Sequence, residues 1–356
     1  MASEDTGAAV RTGPAPPKKS NKRLGMLKIC LVLLSSLLVN ASVYSQAEKS
    51  SIEKKDAALD AIINPGAKVE IIAEGFEWSE GPLWIEEQQM LLFSDVPENI
   101  IYKWTAEKGK EIYLSPSGYT GTIPRGGEKG SNGLTRNNKG QLVICQDGDR
   151  RMAIMNAPLH KPAPNFSTIT NNYKGKKFNS PNDAVYNTKG ELFFTDPPYG
   201  LEKNMDDPLK EIPFQGIYKI KKDGGIVLLT DSITRPNGIA ITPDQKTMII
   251  ANSDPAKPYW YAFDFGTGGQ LVRPRIFFDA TEAARTEQGM PDGLKIDSRG
   301  NIFATGPGGV WIFNRKGKLL GRIKFDGLTS NCALSQDEKT IYITADMYVL
   351  RVVMRK

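Results

Sequence analysis

Six short polar motifs recur along the chain at regular spacing, and they carry side chains that bind hard cations. Each motif begins with an acidic or amide residue, which we call the lead residue of its repeat. The six lead residues are Glu80, Asn132, Asn182, Asn237, Asp292 and Asn331, at intervals of 52, 50, 55, 55 and 39 positions. Their oxygens suit a divalent cation, calcium first, with magnesium, manganese or zinc less favoured. The motifs therefore indicate an oxygen-only metal site.

Four of the lead residues form the predicted metal-ligand set: Glu80, Asn182, Asn237 and Asp292. The two carboxylates would balance the charge of one divalent cation, and without a cation they would repel each other. A cation held there acts as a Lewis acid on a carbonyl oxygen and as a means of activating water. Asp292, which has a second oxygen free to face a substrate, is the predicted general base.

The remaining residue types exclude several other chemistries. His160 is the only histidine, and its proline-flanked loop indicates a surface residue. With no other imidazole, a Ser-His-Asp or Cys-His hydrolase and a histidine-ligated zinc site are excluded. No Gly-rich phosphate loop leads from a strand into a helix, so nucleotide chemistry has no support.

The elements that must position the lead residues are short strands. Each lead residue is followed by an apolar strand, a polar turn and a second apolar strand. The second strands end at Asp95, Asp147, Asp196, Asn252, Gly306 and Asp346, each 14 or 15 residues after its lead residue. With two further strands per unit, this pattern predicts an all-β fold, a six-bladed β-propeller with four-stranded blades. The last unit lacks an outer strand, and residues 69–73 are predicted to supply it and close the ring.

Propeller geometry predicts that the lead residues meet. The innermost strand of each blade starts at one face of the ring, and the second strand returns to that face. The lead residues and the second-strand ends should therefore surround one mouth of the central channel, where Asp196 would be a second-shell or substrate contact.

Several of these motifs, in this order, resemble the SMP-30/gluconolactonase/LRE-like family. They are Ser79-Glu80-Gly81-Pro82-Leu83-Trp84, Phe178-Asn179-Ser180-Pro181-Asn182-Asp183, Phe194-Thr195-Asp196-Pro197-Pro198-Tyr199-Gly200, Arg235-Pro236-Asn237-Gly238 and Pro291-Asp292-Gly293-Leu294, within a similarity over about residues 68–354. The resemblance implies a six-bladed propeller that binds a divalent cation in its channel and hydrolyses sugar lactones or related esters.

Carried over position by position, Glu80, Asn237 and Asp292 match the family's metal ligands. Asn182 matches a residue described as a ligand or a substrate contact, and Asp292 also matches the acid-base residue. Members often carry His in the segment that here reads Cys145-Gln146-Asp147-Gly148-Asp149-Arg150-Arg151, and an arginine common before the Asn-Asp pair is represented here only by Lys176 or Lys177. The predicted substrate contacts are Asn132, Asp147, Lys177, Asp183, Asp196 and Tyr199.

The N-terminus has the pattern of an exported protein. Basic residues precede the apolar run from Ile29 to Val39, which is shorter than a membrane span of about 20 residues. We expect an N-terminal extension and secretory signal peptide over residues 1–45, a linker with a short helix over 46–66, and the propeller over 67–356. The expected location is periplasmic or secreted, with no membrane span after signal removal.

Net charge gives no support for nucleic-acid binding. Residues 1–45 hold six basic and two acidic residues, so most of the formal charge of +6 belongs to the leader. The remaining lysines are scattered at turns rather than gathered on one face. The expected partner is a small molecule.

The sequence therefore predicts a metal-dependent hydrolase of sugar lactones. Hydrolysis of another ester or a phosphotriester by the same site stays open as an alternative. A propeller that only binds a ligand, with the cation rigidifying the ring, stays open as a second one.

Overall fold

The computed structural model describes residues 45–46 and 50–355. The predicted signal peptide, residues 1–45, lies outside this part of the chain except for Ser45. Three strands precede the ring: β1 (Ser45–Gln46), β2 (Ser50–Lys54) and β3 (Val69–Glu74). A 3₁₀ helix, Ala57–Ala61, lies between β2 and β3. Within the described ranges, no helix has the length and apolar content needed to cross a membrane.

The first three blades follow in chain order. Blade 1 comprises β4 (Ser79–Ile85), β5 (Met90–Asp95), β6 (Ile100–Thr105) and β7 (Gly109–Leu114). Blade 2 comprises β8 (Ser131–Arg136), β9 (Leu142–Gln146), β10 (Arg151–Met155) and β11 (Phe166–Thr170), and a hairpin of β12 (Asn172–Tyr173) and β13 (Lys176–Lys177) follows it. Blade 3 comprises β14 (Ala184–Tyr186), β15 (Leu192–Asp196), β16 (Gly216–Ile220) and β17 (Ile226–Thr230). Two 3₁₀ turns, Glu86–Gln88 and Asn204–Asp206, lie in this half.

The other three blades complete the ring. Blade 4 comprises β18 (Pro236–Ile241), β19 (Thr247–Asn252), β20 (Tyr259–Phe265) and β21 (Leu271–Asp279); blade 5 comprises β22 (Leu294–Ile296), β23 (Ile302–Gly306), β24 (Gly309–Phe313) and β25 (Leu319–Phe325); and blade 6 comprises β26 (Asn331–Leu334), β27 (Thr340–Ala345) and β28 (Tyr348–Val353). One helical turn, α1 (Thr281–Ala284), separates blades 4 and 5. The all-β, six-bladed prediction is confirmed.

The N-terminal strands lie on the last two blades. β3 pairs antiparallel with β28 and supplies the missing strand of blade 6, as predicted. β2 pairs with β25 as a fifth strand of blade 5, and β1 pairs with β3. Part of the segment predicted as a linker therefore packs on the propeller, because its backbone fills two open sheet edges.

The hydrophobic core is divided among the interfaces between blades. The second strands are continuous apolar runs because a neighbouring blade covers each face, so every residue of β5, β15 and β23 is buried. The described residues contain six buried apolar clusters, one in each interface between neighbouring blades. At the junction of blades 6 and 1, the Trp84 and Tyr342 rings stack with centroids 4.9 Å apart. This packing fixes the inner strands around the channel.

Candidate active site

Local irregularities at the strand starts aim the lead side chains into the channel. The register of the β4–β5 pair shifts between Glu80 and Leu83, and those of β8–β9 and β18–β19 shift at the matching residues. Such bulges re-aim side chains and are common beside active sites. In blades 3 and 5, Asn182 and Asp292 lie just before the regular strand begins.

Hydrogen bonds between neighbouring blades hold the backbone at these positions. The Ser94 hydroxyl donates to the carbonyl of Asn132 at 2.8 Å, and the Thr195 hydroxyl donates to the carbonyl of Asn237 at 2.8 Å. The Gly133 amide donates to the carbonyl of Asn182 at 2.7 Å. The backbones of Asn132, Asn182 and Asn237 are therefore tied to a neighbouring blade.

Two glycines permit this close approach. Gly81 has a φ of +54°, and a Cβ there would lie 2.1 Å from the carbonyl oxygen of Asn132. A Cβ on Gly293 would lie 1.9 Å from the side-chain carbon of Asn331. A side chain at either position would push apart the inner strands that carry the site.

Most of the lead side chains present oxygens that lack a donor. Within the described part of the chain, no group donates a hydrogen bond to the buried Oδ1 atoms of Asn132, Asn182, Asn237 and Asp292. The Asn237 amide nitrogen donates to Ser253 Oγ at 3.0 Å, which directs its oxygen away from that hydroxyl. Buried acceptors almost always have a partner, so acceptors without one indicate a missing positive or donor group. These residues fit a divalent cation.

Two acidic lead residues face each other across the channel. Glu80 is 2% exposed, and its Oε2 accepts a hydrogen bond from the Gly81 amide at 2.6 Å. Burial, with the nearby Asp183 carboxylate, raises the pKa of Glu80 to about 8. Burial and the Glu80 and Asp183 carboxylates raise the pKa of Asp292 well above its ordinary value. A cation would relieve this repulsion and favour both charged forms.

Asn331 differs from the other amide lead residues. Its Oδ1 accepts hydrogen bonds from the Cys332 amide at 2.9 Å and from Lys295 Nζ at 3.2 Å. Its Nδ2 donates to Glu80 Oε2 at 3.3 Å. Asn331 is therefore a donor toward a predicted ligand and is not itself a ligand.

Asp183 lies beside the lead residues and is as buried as Glu80 and Asn182. Its side chain is 4% exposed, with Oδ1 accepting from the Ala184 amide at 2.8 Å and Oδ2 3.9 Å from Lys295 Nζ. Asp183 therefore contributes charge beneath the lead residues. The sequence motifs did not indicate Lys295, because it lies three positions after a lead residue inside an ordinary strand.

A second acidic group lies on the blade 2 side of the mouth. Asp147 is fully buried, and its carboxylate oxygens have no donor of ordinary hydrogen-bond geometry among the described residues, although the Asn132 side chain is near enough to act on its pKa. Burial and the neighbouring Glu128 carboxylate raise the pKa of Asp147 well above its ordinary value. Burial raises the pKa of Glu128 to about 7. Glu128 was missed from the sequence because it lies in the connection between blades 1 and 2, outside every repeat.

Asp196 holds a loop instead of facing the channel. Its two carboxylate oxygens accept from the backbone amides of Asn179 at 2.9 Å and Ser180 at 2.8 Å, and it is fully buried. The equivalent Asp95 accepts from the amides of Glu77 and Trp78 in the same way. Asp196 therefore has a structural role, and its predicted contact with a substrate stays a prediction.

Lys177 is not part of this cluster. Its side chain is exposed on the β12–β13 hairpin, and its backbone amide donates to Glu211 Oε2 at 2.8 Å. The hairpin carries this segment along the outer surface before Phe178 enters the apolar core between blades 2 and 3, and the predicted contact of Lys177 with a substrate stays a prediction.

Tyr199 lies near Asp292, and its predicted contact with a substrate stays a prediction. It is half-buried, and burial together with the Asp292 carboxylate raises its pKa. The connection that contains Tyr199 contacts the connection between blades 1 and 2, since the Gly126 amide donates to Glu202 Oε1 at 2.7 Å. Arg125 also donates to the carbonyl of Gly148 at 2.8 Å. Two long connections therefore meet beside the lead residues.

The four proposed ligands are a mixture of carboxylate and amide side chains. No group of three or more His, Cys, Asp or Glu side chains suited to a metal occurs among residues 50–355. Two carboxylates and two amides, with oxygens only, resemble the ligands that hard cations take.

Sequence comparison finds relatives of this chain. Residues 78–346 match the SMP-30/gluconolactonase/LRE-like region family. A gluconolactonase from Zymomonas mobilis is 38% identical over 313 residues, which cover 85% of this chain and 85% of that protein. A pentonolactonase from Haloferax volcanii is 24% identical over 273 residues, which cover 74% of this chain and 80% of that protein.

A solved structure extends the agreement to the fold. A gluconolactonase from Xanthomonas campestris superposes with a TM-score of 0.76 at 26% identity, covering 89% of this chain and 99% of its own. Sequence match, fold and the order of the motifs thus agree over the whole ring. The chain belongs to the SMP-30/gluconolactonase/LRE-like family.

Proposed function

We propose that this chain is a hydrolase that opens lactones, with a sugar lactone as its substrate. The observation that carries the proposal is the set of donor-free oxygens at one channel mouth, contributed by Asn132, Asn182, Asn237 and Asp292. The lactonase activities named for the similar proteins from Zymomonas mobilis and Haloferax volcanii support the same reaction class.

The residues that would hold a divalent cation are Glu80, Asn182, Asn237 and Asp292. When bound there, the cation supplies a Lewis acid that polarises the lactone carbonyl and lowers the pKa of water. Calcium is the first choice, because all four donors are oxygens from carboxylates and amides. The calcium-binding regucalcin structure from Agrobacterium tumefaciens shares the propeller fold, with a TM-score of 0.61.

Asp292 is the general base in this proposal. It takes one proton from the water whose oxygen forms the new bond to the carbonyl carbon. The bond between that carbon and the ring oxygen then breaks, and Asp292 returns the proton to the ring oxygen. The products are a carboxyl group and a hydroxyl group on one open chain, so atoms and charge balance.

The other mouth residues favour a polyhydroxylated substrate. Sugar hydroxyl groups are hydrogen-bond donors, and Asn132 and Asp147 have buried acceptor oxygens that lack donors. Leaving such acceptors without a partner costs free energy, so a substrate rich in hydroxyl groups is favoured over an apolar ester. Tyr199 borders the same space and would limit the size of the substrate.

Acid release from glucono-1,5-lactone tests the proposal. A pH-stat would record the rate of acid release by the wild type and compare it with the spontaneous rate. The rate would be measured without a chelator, with a chelator, and after Ca²⁺ is added back. We expect acceleration that the chelator removes and Ca²⁺ restores, and no acceleration by Glu80→Gln. Asp223→Asn, at an exposed turn, is the matched control and should behave as the wild type.

The outcomes separate the alternatives. Acceleration that resists the chelator would contradict the cation's role while keeping the lactonase assignment. No acceleration on a panel of five- and six-membered sugar lactones would instead favour a propeller that only binds its ligand. Activity on aryl esters or phosphotriesters alone would support the ester alternative.

We further propose that the protein is exported, on the basis of the basic residues and short apolar run before Ser45. N-terminal sequencing of the protein recovered outside the cytoplasm would test this. We expect a start near residue 46, and recovery of a chain that keeps Met1 would contradict the proposal.

A further inference from the structure

Lys295 places an ammonium group inside the channel, beneath the lead residues. It lies on β22, three residues after Asp292, and its side chain is 32% exposed. Its Nζ donates to Asn331 Oδ1 at 3.2 Å and to the carbonyl of Leu294 at 3.1 Å, and it lies 3.9 Å from Asp183 Oδ2. One side chain therefore connects blades 5, 6 and 3 across the channel.

Lys295 is the charged exception at its level of the ring. The residues three positions after the other lead residues are Leu83, Thr135, Val185, Ala240 and Leu334. The first four pair with the residue three positions before the end of their second strand, as Lys295 does, whereas in blade 6 Ala333 holds that position. A charged residue at this depth is costly to bury unless it has partners, and Lys295 has two across the channel.

The contact with Asn331 sets the direction of an amide. Asn331 Oδ1 accepts from both Lys295 Nζ and the Cys332 amide, so the oxygen is held on the side away from Glu80. The Nδ2 group is then left to donate to Glu80 Oε2. Lys295 thus acts on Glu80 through Asn331 and does not itself touch it.

The contact with Asp183 sets the charge of the site. Glu80, Asp183 and Asp292 are the three acidic residues of the lead motifs, and Lys295 is close enough to Asp183 to offset one negative charge. Among the lead motifs, two uncompensated carboxylates then remain, which match the charge of one divalent cation, and the Glu128 carboxylate adds to the negative potential at both. Glu128 and Asp147 lie on the blade 2 side and are the same in every variant compared below.

We propose that Lys295 is the positioning residue that matches this site to a divalent cation. It neutralises Asp183 and turns the Asn331 amide toward Glu80. This inference rests on the cation site proposed above. Removal of the ammonium group leaves three uncompensated carboxylates, which attract a trivalent cation more strongly than a divalent one.

The ratio of Tb³⁺ to Ca²⁺ association constants, measured by calorimetry on the purified full chain, tests this. Lys295→Gln and Lys295→Met both remove the charge, and Lys295→Arg keeps it. We expect the ratio to rise about tenfold or more in the first two variants and to stay near the wild-type value in the third. A role limited to packing would not change a ratio between two cations that bind at the same place.

Each result has a defined meaning. An unchanged ratio in folded Lys295→Gln would overturn the inference, as would a rise in Lys295→Arg equal to that in Lys295→Met. Should Lys295→Met fail to fold, Lys295→Gln decides, with thermal melting confirming its native state. A wild type that binds neither cation would overturn the cation site itself and with it this inference, whereas normal Ca²⁺ binding with an unchanged ratio overturns the inference alone.

Discussion

The Asn331 amide donates to Glu80 Oε2 at 3.3 Å, although 251 positions separate the two residues in the chain. The bond joins the last blade to the first, at the mouth of the channel. Closure of the ring and placement of a proposed cation ligand therefore depend on the same contact. The Ser330 hydroxyl, one residue earlier, donates to the carbonyl of Ser79 at 2.6 Å and reinforces the junction.

Replacing Asn331 by Leu should weaken cation binding. The substitution leaves Glu80 with one donor, the Gly81 amide, and a hydrogen bond to a charged group contributes about 1.5–3 kcal/mol. We expect the Ca²⁺ association constant to fall about tenfold or more by calorimetric titration, since 1.4 kcal/mol is a factor of ten. Leu334→Ala, three residues after Asn331 at the end of β26, serves as a control for packing. Equal losses in both variants would contradict the assigned role.

The stability of the cation-free protein should fall as pH rises. The pKa of Glu80 is raised from 4.5 to about 8 and that of Asp196 from 3.8 to about 7, both chiefly by burial. A carboxyl group with a higher pKa in the folded state binds more protons when folded. The contribution of such a group to the free energy of unfolding is fully present below its pKa in the unfolded chain. It is lost as pH rises through its pKa in the folded protein.

Thermal melts between pH 4.5 and pH 8 check this expectation, with a chelator and with excess Ca²⁺. In the chelator, the melting temperature should decline across the window. With Ca²⁺ the decline should be smaller, because the cation favours the charged forms of Glu80 and Asp292. Glu80→Gln should decline less than the wild type in the chelator. Curves that coincide with and without Ca²⁺ would argue against the cation site.

Asp292→Asn should remove turnover while the protein stays folded. An amide cannot accept the proton from water, and a general base typically contributes a factor of about 10²–10⁴ to the rate. Steady-state kinetics on a sugar lactone at saturating Ca²⁺ would show the loss in kcat. Asp223→Asn removes a charge at an exposed turn and should leave kcat unchanged. Near-normal turnover by Asp292→Asn would rule out the role.

Asp196→Asn should affect stability more than catalysis. The carboxylate accepts from two backbone amides, and an asparagine can accept from only one of them with its oxygen. Leaving a buried amide without a partner costs about 1–3 kcal/mol. We expect a lower denaturation midpoint with a KM for the lactone close to that of the wild type. A raised KM at unchanged stability would restore the substrate contact that the sequence predicted.

The repeat pattern was sufficient to predict the fold. Polar lead residues in phase, followed by paired apolar strands, define six blades, and the structure places β3 where the missing strand was expected. It also predicted that Glu80, Asn182, Asn237 and Asp292 share one mouth, because phase alone determines where an inner strand begins.

The regular spacing of the repeats could not predict which partner each side chain has at the channel mouth. Asp196 is the last residue of β15, whereas Asp147 lies one residue beyond the end of β9. A shift of one residue turns a side chain to the other face of its strand, so one carboxylate has no donor and the other accepts from two backbone amides. The connections between strands follow no repeat. Glu128 was missed for the same reason, and Lys295 was missed because its strand looks ordinary without its partners in blades 3 and 6.

The pairing of β3 with β28 has a consequence for the order of folding. Arg351 and Glu70, which form an ion pair at 2.7 Å in that ladder, are 281 positions apart in the chain. Blades 1 to 4 can each form from local hairpins as the chain emerges, whereas blade 6 requires its last strand to meet one of the first. Contacts of such long separation form late and slow the overall rate. Until they form, β3 and β28 present open edges, so the nearly complete ring is the stage at which this protein is most exposed to wrong strand pairing.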